Sequence, residues 1–246
     1  MDSAIDNLRN LLGRASLVTA LTGAGISAES GIPTFRGPEG LWNNYRAEDL
    51  ATPEAFSRDP ELVWRWYDWR RGIVARARPN AAHLGLVALE RRQRVTVITQ
   101  NVDGLHGLAG SRELIEVHGN IWKVRCTNCA LIAANTEVPL AVIPPRCGRC
   151  GALVRPHIVW FGEAVDPYDF QRSVEMSRSA DVFLVIGTSG LVQPAASLAQ
   201  VAKSAGATVV EINPDSTPTT SLADLVFPER ATRVFEALGL SPNPSS

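Results

Sequence analysis

The sequence predicts an α/β fold in which a doubly wound parallel sheet carries a small inserted module. Short apolar runs at Ala15–Leu21, Val95–Thr99, Asp181–Ile186 and Thr208–Ile212 alternate with helical stretches. Strands and helices in alternation give a parallel sheet covered on both faces. The segment Ile121–Ile158 breaks this rhythm and holds all four cysteines. The first apolar run also empties into a glycine-rich turn, at the edge where such sheets bind ligands.

Taken in order, Ser3–Leu12 places Ile5, Leu8, Leu11 and Leu12 at helical spacing. Ala15–Leu21 is β-branched and short enough for a buried strand. In the loop that follows, Gly23 and Gly25 lack a Cβ, so a diphosphate can approach the main chain there. Pro33-Thr34-Phe35-Arg36 then delivers an aromatic ring and a cation on a loop too long and polar for a simple connection. Thr52 caps a helix with Pro53 in its first turn. Glu61–Ala77 is helical, with Trp64, Trp66, Tyr67 and Trp69 crowded together, most of them in packing roles. Asn80 caps Ala81–Arg92, on which His83 reads as structural. Leu114–Val117 is a short third strand, Ala195–Ser204 a helix, Asp224–Phe227 a last strand and Ala231–Leu238 a closing helix. Ser241–Ser246 is expected to be a disordered tail.

Composition excludes several classes. A net charge of −1 lacks the clustered basic excess of a nucleic-acid footprint. No apolar run approaches the ~20 residues of a membrane span. Met1-Asp2-Ser3 lacks the basic-then-apolar pattern of a signal peptide, so a cytoplasmic location is expected.

Cys126-x-x-Cys129 and Cys147-x-x-Cys150 are the most specific spacing in the chain. Two such pairs in a Gly/Pro-rich insert fit one tetrahedral zinc held by four thiolates, a closed and therefore structural site. Redox motifs, the competing reading, come as one pair beside a strand. Lys123, Arg125, Arg146 and Arg149 flank the cysteines and read as compensation for the thiolate charge.

Gln100-Asn101-Val102-Asp103 lies just past the second strand. From spacing alone, binding a carboxamide and ribose hydroxyls stands level with capping the next helix. His118 directly follows the third strand, where a histidine suits a general base; His106 and His157 read as structural. Gly187-Thr188-Ser189 and Asn213-Pro214 end the next two strands. No G-x-G-x-x-G follows the first strand, which argues against hydride chemistry, and Glu211 is misplaced for a ribose-binding acid.

The run Gly23–Gly37 resembles the first signature of the sirtuins, NAD-dependent protein lysine deacylases. Gln100–Asp103, Val117-His118-Gly119 and the cysteine pairs resemble later signatures, in the family's order, over about Asp6 to Ala237. The resemblance implies a Rossmann-like domain (about 1–35, 80–120 and 155–240), a helical insert at about 38–78 and a zinc-binding insert at about 121–158. It implies NAD contacts from Gly23, Ala24, Gly25, Ser27, Ala28 and Thr34, with Phe35 shielding the reactive ribose and Arg36 positioning it. Asn101 and Asp103 would hold the nicotinamide amide and Gln100 the adjacent ribose. Gly187, Thr188, Ser189, Asn213, Pro214 and Ala231 would serve the adenosine half.

By the same resemblance, the acyl oxygen of a modified lysine attacks the nicotinamide ribose and nicotinamide leaves. His118 then takes a proton from a ribose hydroxyl, which attacks the resulting imidate, and water completes the reaction to give free lysine and an O-acyl-ADP-ribose. Val159, Trp160, Phe161 and Gly162 resemble the segment that pairs with the substrate backbone as an added strand. Tyr67 and Arg70, three apart on a helix, resemble the subgroup that removes succinyl and malonyl groups, the arginine receiving the distal carboxylate. Read without the family, Arg70 pairs with Asp68 or Glu61. Gln193 stands where relatives often carry an aromatic. An ADP-ribosyltransferase and a non-catalytic acyl-lysine reader are the other classes the chain could fit.

Overall fold

The computed structural model describes residues 2–34 and 46–240, without the side chains of Asp2 and Glu48. Phe35 and Arg36 lie outside the described residues, as do the loop as far as Tyr45 and the tail from Ser241. The strands are β1 (Leu17–Thr22), β2 (Arg94–Thr99), β3 (Glu113–Glu116), β4 (Gly119–Cys126), β5 (Ile132–Ala134), β6 (Val154–Ile158), β7 (Val182–Ile186), β8 (Thr208–Ile212) and β9 (Leu225–Phe227). The helices are α1 (Asp2–Arg14), α2 (Ala24–Ala28), α3 (Ala47–Leu50), α4 (Pro53–Arg58), α5 (Pro60–Val74), α6 (Ala81–Leu89), α7 (Leu105–Ala109), α8 (Pro167–Ser179), α9 (Leu198–Ser204) and α10 (Ala231–Ala237).

Six parallel strands form one sheet in the order β3-β2-β1-β7-β8-β9. All six residues of β1 are buried, because helices cover both faces. The pleat sorts its neighbours strictly. Val18, Ala20, Val182, Leu184, Val210 and Ile212 join the core beneath α1, α6 and α10, while Leu21, Phe183, Val185 and Val209 join the core under α8 and α9. The order reverses between β1 and β7. That is the switch point at which a cleft opens outside the carboxyl ends of the strands.

The cysteine-bearing segment forms a separate antiparallel sheet, β5-β4-β6. It shares a second core with α3, α4 and α5, built around Trp64, Trp66, Tyr67, Ile121, Val154 and Trp160. Trp64 donates its Nε1–H to Val154 O at 2.8 Å. Arg71 is fully buried between the Trp64 and Trp122 rings and donates from Nε to Ile121 O at 2.9 Å and from Nη1 to Asn135 Oδ1. Burial pulls its pKa down to about 10.

The expected strands are present to within two residues, and Thr52 and Asn80 cap α4 and α6 as expected. Two helices stop early, α5 at Val74 and α6 at Leu89. Trp64 and Trp66 are packed, and Trp69 is partly exposed. Helix α8 was not expected. Its only fully buried side chains are Ser173 and Ser177, which return their hydroxyls to Asp169 O and Ser173 O, each at 2.7 Å.

Candidate active site

At the switch point, β1 and β7 release their chains side by side. Gly23 N–H donates to Ile186 O at 3.0 Å and Gly25 N–H to Gly187 O at 2.8 Å. A Cβ on Gly25 would lie 2.7 Å from Gly187 Cα, and one on Gly23 would lie 2.7 Å from Thr188 Cβ. Gly187 itself holds φ at +58° against the Ile26 backbone. The glycines are therefore required first by backbone-to-backbone packing, and the N–H groups of Gly23 and Gly25 are spent on the protein. A diphosphate approaching the main chain here would have to use other backbone groups of the loop.

Gln100, Asn101 and Asp103 follow β2 into the same cleft. Gln100 Nε2 donates to Thr188 Oγ1 at 3.0 Å, tying the end of β2 to that of β7. Asn101 donates from Nδ2 to Gly23 O at 3.0 Å and to Ser27 Oγ at 3.2 Å, so its Oδ1 is the atom left to accept. Asp103 takes the Leu105 N–H and the Ser27 hydroxyl, each at 2.8 Å. The spacing left helix capping and ligand binding level; the N-cap of α7 is Gly104, and Asp103 just before it accepts the N–H of the first helical residue, Leu105. Burial pushes its carboxyl pKa upward, against hydrogen bonds from Leu105 and Ser27 and the charge of Arg70. Such a carboxyl, beside an amide acceptor, fits a carboxamide NH₂.

Beneath these groups His83 and His106 stack at 4.7 Å. His106 Nε2 lies 2.9 Å from Thr22 Oγ1, and burial drives its pKa well down; His83 is brought down to about 4. Both stay neutral and structural, as expected. His118 differs. Its Nδ1–H donates to Gln100 O at 3.0 Å, which fixes the tautomer and leaves Nε2 as an acceptor. Burial lowers its pKa, and the Gln100 carbonyl opposes that shift. A neutral imidazole with an open Nε2 at the cleft is equipped to take a proton.

Along the remaining edge, Asn213 Nδ2 donates to Thr188 O at 2.9 Å; Ser189 is half-buried and Pro214 exposed. Glu211 is buried and engaged by the Thr217 and Thr220 hydroxyls, so it faces no ribose, as its position suggested. Ala231 opens α10 with its side chain packed in the core. Ala24 and Ala28 lie on α2, and Thr34 is the last described residue before the loop.

The Val159–Gly162 segment leaves β6 with its donors already used. Val159 N–H goes to His118 O and Phe161 N–H to Ala51 O, each at 2.9 Å, and Trp160 N–H goes to Glu163 Oε2 at 2.8 Å. Strand addition there would have to use carbonyls or Gly162. Trp160 is buried, and Phe161 is half exposed. Glu163 grips Arg155 with both oxygens at 2.6 and 2.7 Å and locks the turn.

The four cysteines converge. Their Sγ atoms lie within 4.8 Å of one another, with Cys126–Cys150 at 3.4 Å and Cys129–Cys147 at 3.8 Å. Those gaps exceed a disulfide bond and match the ~3.8 Å edge of a tetrahedron with zinc–sulfur bonds of about 2.3 Å. Backbone N–H groups of Asn128 and Cys129 point at Cys126 Sγ, and that of Arg149 at Cys147 Sγ, each at 3.4 Å. These dipoles supply compensation that the flanking cations were expected to give. Lys123 instead pairs with Glu116, and Arg146 binds Gly151 O.

The profile of the Sir2 family matches residues 23–194, spanning the glycine loop, the His118 strand and the cysteine sheet. The chain belongs to the Sir2 family. A relative from Aquifex aeolicus named NAD-dependent protein deacylase is 56% identical over 215 residues, covering 87% of this chain and 90% of that protein. The crystal structure of a Sir2 homologue–NAD complex superposes with a TM-score of 0.90 at 47% identity, over 96% of this chain and 95% of the other. A Sir2 homologue variant with 2′-O-acetyl ADP-ribose gives 0.90 at 46% identity, over 98% and 99%. The Sir2 assignment accounts for both sheets: the nucleotide complexes share this parallel-sheet fold, and the cysteine cluster is the zinc site of the second sheet. Among the described residues no helix is long and apolar enough to cross a membrane.

Proposed function

We propose that this Sir2 protein removes acyl groups from lysine side chains of proteins in an NAD-dependent reaction, releasing nicotinamide and an O-acyl-ADP-ribose. The observation that carries the reading is His118, held by Gln100 O with Nε2 open at the cleft where Asn101 and Asp103 also face. The Aquifex aeolicus name and the acetyl-ADP-ribose complex support it. Bound NAD supplies an electrophilic ribose carbon with nicotinamide as the leaving group.

Asn101 Oδ1 and Asp103 orient the carboxamide end, and Gln100 and Thr188 line the ribose next to it. Asn213 and Ser189 serve the adenosine side. His118 Nε2 would take the proton from a ribose hydroxyl, with its Nδ1–H held on Gln100 O. Phe161 and Gly162 border the peptide. Four cysteines gathered around one metal position suit a reducing, cytoplasmic compartment, with zinc holding the second sheet.

The acyl group we assign is a dicarboxylic one, succinyl or malonyl, with acetyl also accepted. Tyr67 and Arg70 share one face of α5, and the charge of Arg70 acts on both Tyr67 and Asp103 at the cleft. Of the nearby acids, Glu61 pairs with Arg65, and Asp68 accepts the Leu140 N–H at 2.8 Å.

Mass spectrometry of products from NAD and acylated lysine peptides tests the reading. O-acyl-ADP-ribose is expected. ADP-ribosylated protein would make the chain a transferase, and unchanged peptide a reader.

A further inference from the structure

Among the described residues, neither the Trp66 indole N–H nor the Tyr67 hydroxyl proton on α5 meets an acceptor, and Arg71 Nη2 is a third unmet donor on the same helix. Trp66 is 1% exposed, and its Nε1–H meets no partner among the described residues. A buried N–H left unmade forfeits its bond to water, so it is either a packing fault or a contact completed by a ligand. Its neighbour Tyr67 is equally buried, and its oxygen already accepts the Trp160 Nε1–H at 2.8 Å. An indole N–H can only donate, so the single phenolic proton of Tyr67 must point to another acceptor. Among the described residues none receives it.

Trp160 cannot turn to release that constraint. Arg155 lies 3.4 Å from its ring centroid, Phe56 packs against it at 5.4 Å, and its backbone N–H is held by Glu163. On the other side, Trp66 meets Tyr67 edge-on at 4.6 Å, and the Arg70 guanidinium lies 5.0 Å from the Trp66 ring centroid. Within little more than one turn of α5, an indole N–H, a phenol O–H and a guanidinium therefore stand together, all of them donors.

We infer that the Trp66 Nε1–H is a further donor to the distal carboxylate of a dicarboxylic acyl group on lysine, and that Trp160 is a positioning residue that turns the Tyr67 O–H toward the same carboxylate. The inference rests on the deacylase reading above and names the side chains that set its acyl specificity. An ionised carboxylate offers about four lone-pair sites, enough for all three donors. An acetyl methyl offers none and leaves buried donors unpaired, which is how a polar site rejects an apolar analogue. Burial holds the Tyr67 pKa up at about 12, so its hydroxyl keeps the proton it would donate.

The test compares kcat/KM for succinyl-lysine and acetyl-lysine peptides. Trp66→Phe, and the benzothienylalanine isostere that keeps the bicycle but lacks the N–H, should lower the succinyl-to-acetyl ratio about tenfold or more, the scale of a hydrogen bond to a charged group. Trp160→Phe should lower it too, and adding Tyr67→Phe in that background should cost little more, because the two act through one hydroxyl. Equal losses on both peptides, an unchanged ratio in the isostere, or additive losses for Trp160 and Tyr67 would overturn the inference. Calorimetric binding of a succinyl-lysine peptide in the presence of ADP-ribose reads the same contact without turnover. Weaker binding by the isostere supports the inference, and equal binding overturns it, even if turnover assays sink the deacylase reading.

Discussion

Gly25 and Gly187 meet backbone to backbone, the N–H of one 2.8 Å from the carbonyl of the other, with no room for a methyl group between them. The contact closes the seam where the sheet reverses its winding, so the cleft depends on two missing side chains that lie far apart in sequence.

Gly187→Ala is expected to be the more damaging of the two alanine variants. It adds a Cβ 2.4 Å from Ile26 N at a positive φ, whereas Gly25→Ala must displace the Gly187 backbone by a smaller amount. Strain at such a position costs roughly 1–3 kcal/mol. Both should melt earlier and bind NAD more weakly, Gly187→Ala by more, as thermal melts and calorimetry would reveal. Wild-type melting in either variant contradicts the seam.

His118→Tyr is expected to abolish deacylation while NAD still binds. The base must be neutral to accept a proton, and burial disfavours its imidazolium. The acid limb of the pH–rate profile should therefore fall below pH 6.5, with activity flat as pH rises above it. A limb above the ordinary histidine range would assign the titration to another group.

Zinc should be needed for the fold and not for the chemistry. Cys126→Ala leaves three thiols and removes the acceptor of two backbone N–H groups. Loss of solubility or of peptide binding is expected, and chelation should lower the melting temperature. A cysteine variant with wild-type melting and activity after chelation would end the structural-zinc reading.

Arg70→Met should cost the succinyl reaction roughly 2–4 kcal/mol of transition-state binding, the scale of breaking a desolvated charge pair. The ratio of kcat/KM for succinyl-lysine over acetyl-lysine is the measurement. Should both reactions suffer alike, Arg70 supports the fold and does not read the acyl chain.

The parallel sheet was legible because its strands are buried on both faces and read as continuous apolar runs, and the cysteine pairs because metal geometry constrains their spacing. Helix α8 was not, because its fully buried positions are serines and its apolar residues Phe170, Val174 and Met176 are only partly buried. Its one local signal was Asp166 before Pro167, a cap with proline at the first turn, and Asp166 does accept the Tyr168 N–H. The packing of Gly23 and Gly25 against Gly187 was not legible, since it is a tertiary contact. The Tyr67–Trp160 bond joins residues 93 positions apart, and no periodicity encodes it.

The position of β1 between β2 and β7 also fixes when the protein can work. During synthesis the ribosome delivers Gln100, Asn101, Asp103 and His118 before any of β7 or β8 exists. Until those strands emerge, β1 has an open edge and Gly25 has no Gly187 to close against. Pairings of such long sequence separation form late. A nascent or truncated chain thus carries the base without a pocket for its nucleotide, and the enzyme comes into being only as its last strands leave the ribosome.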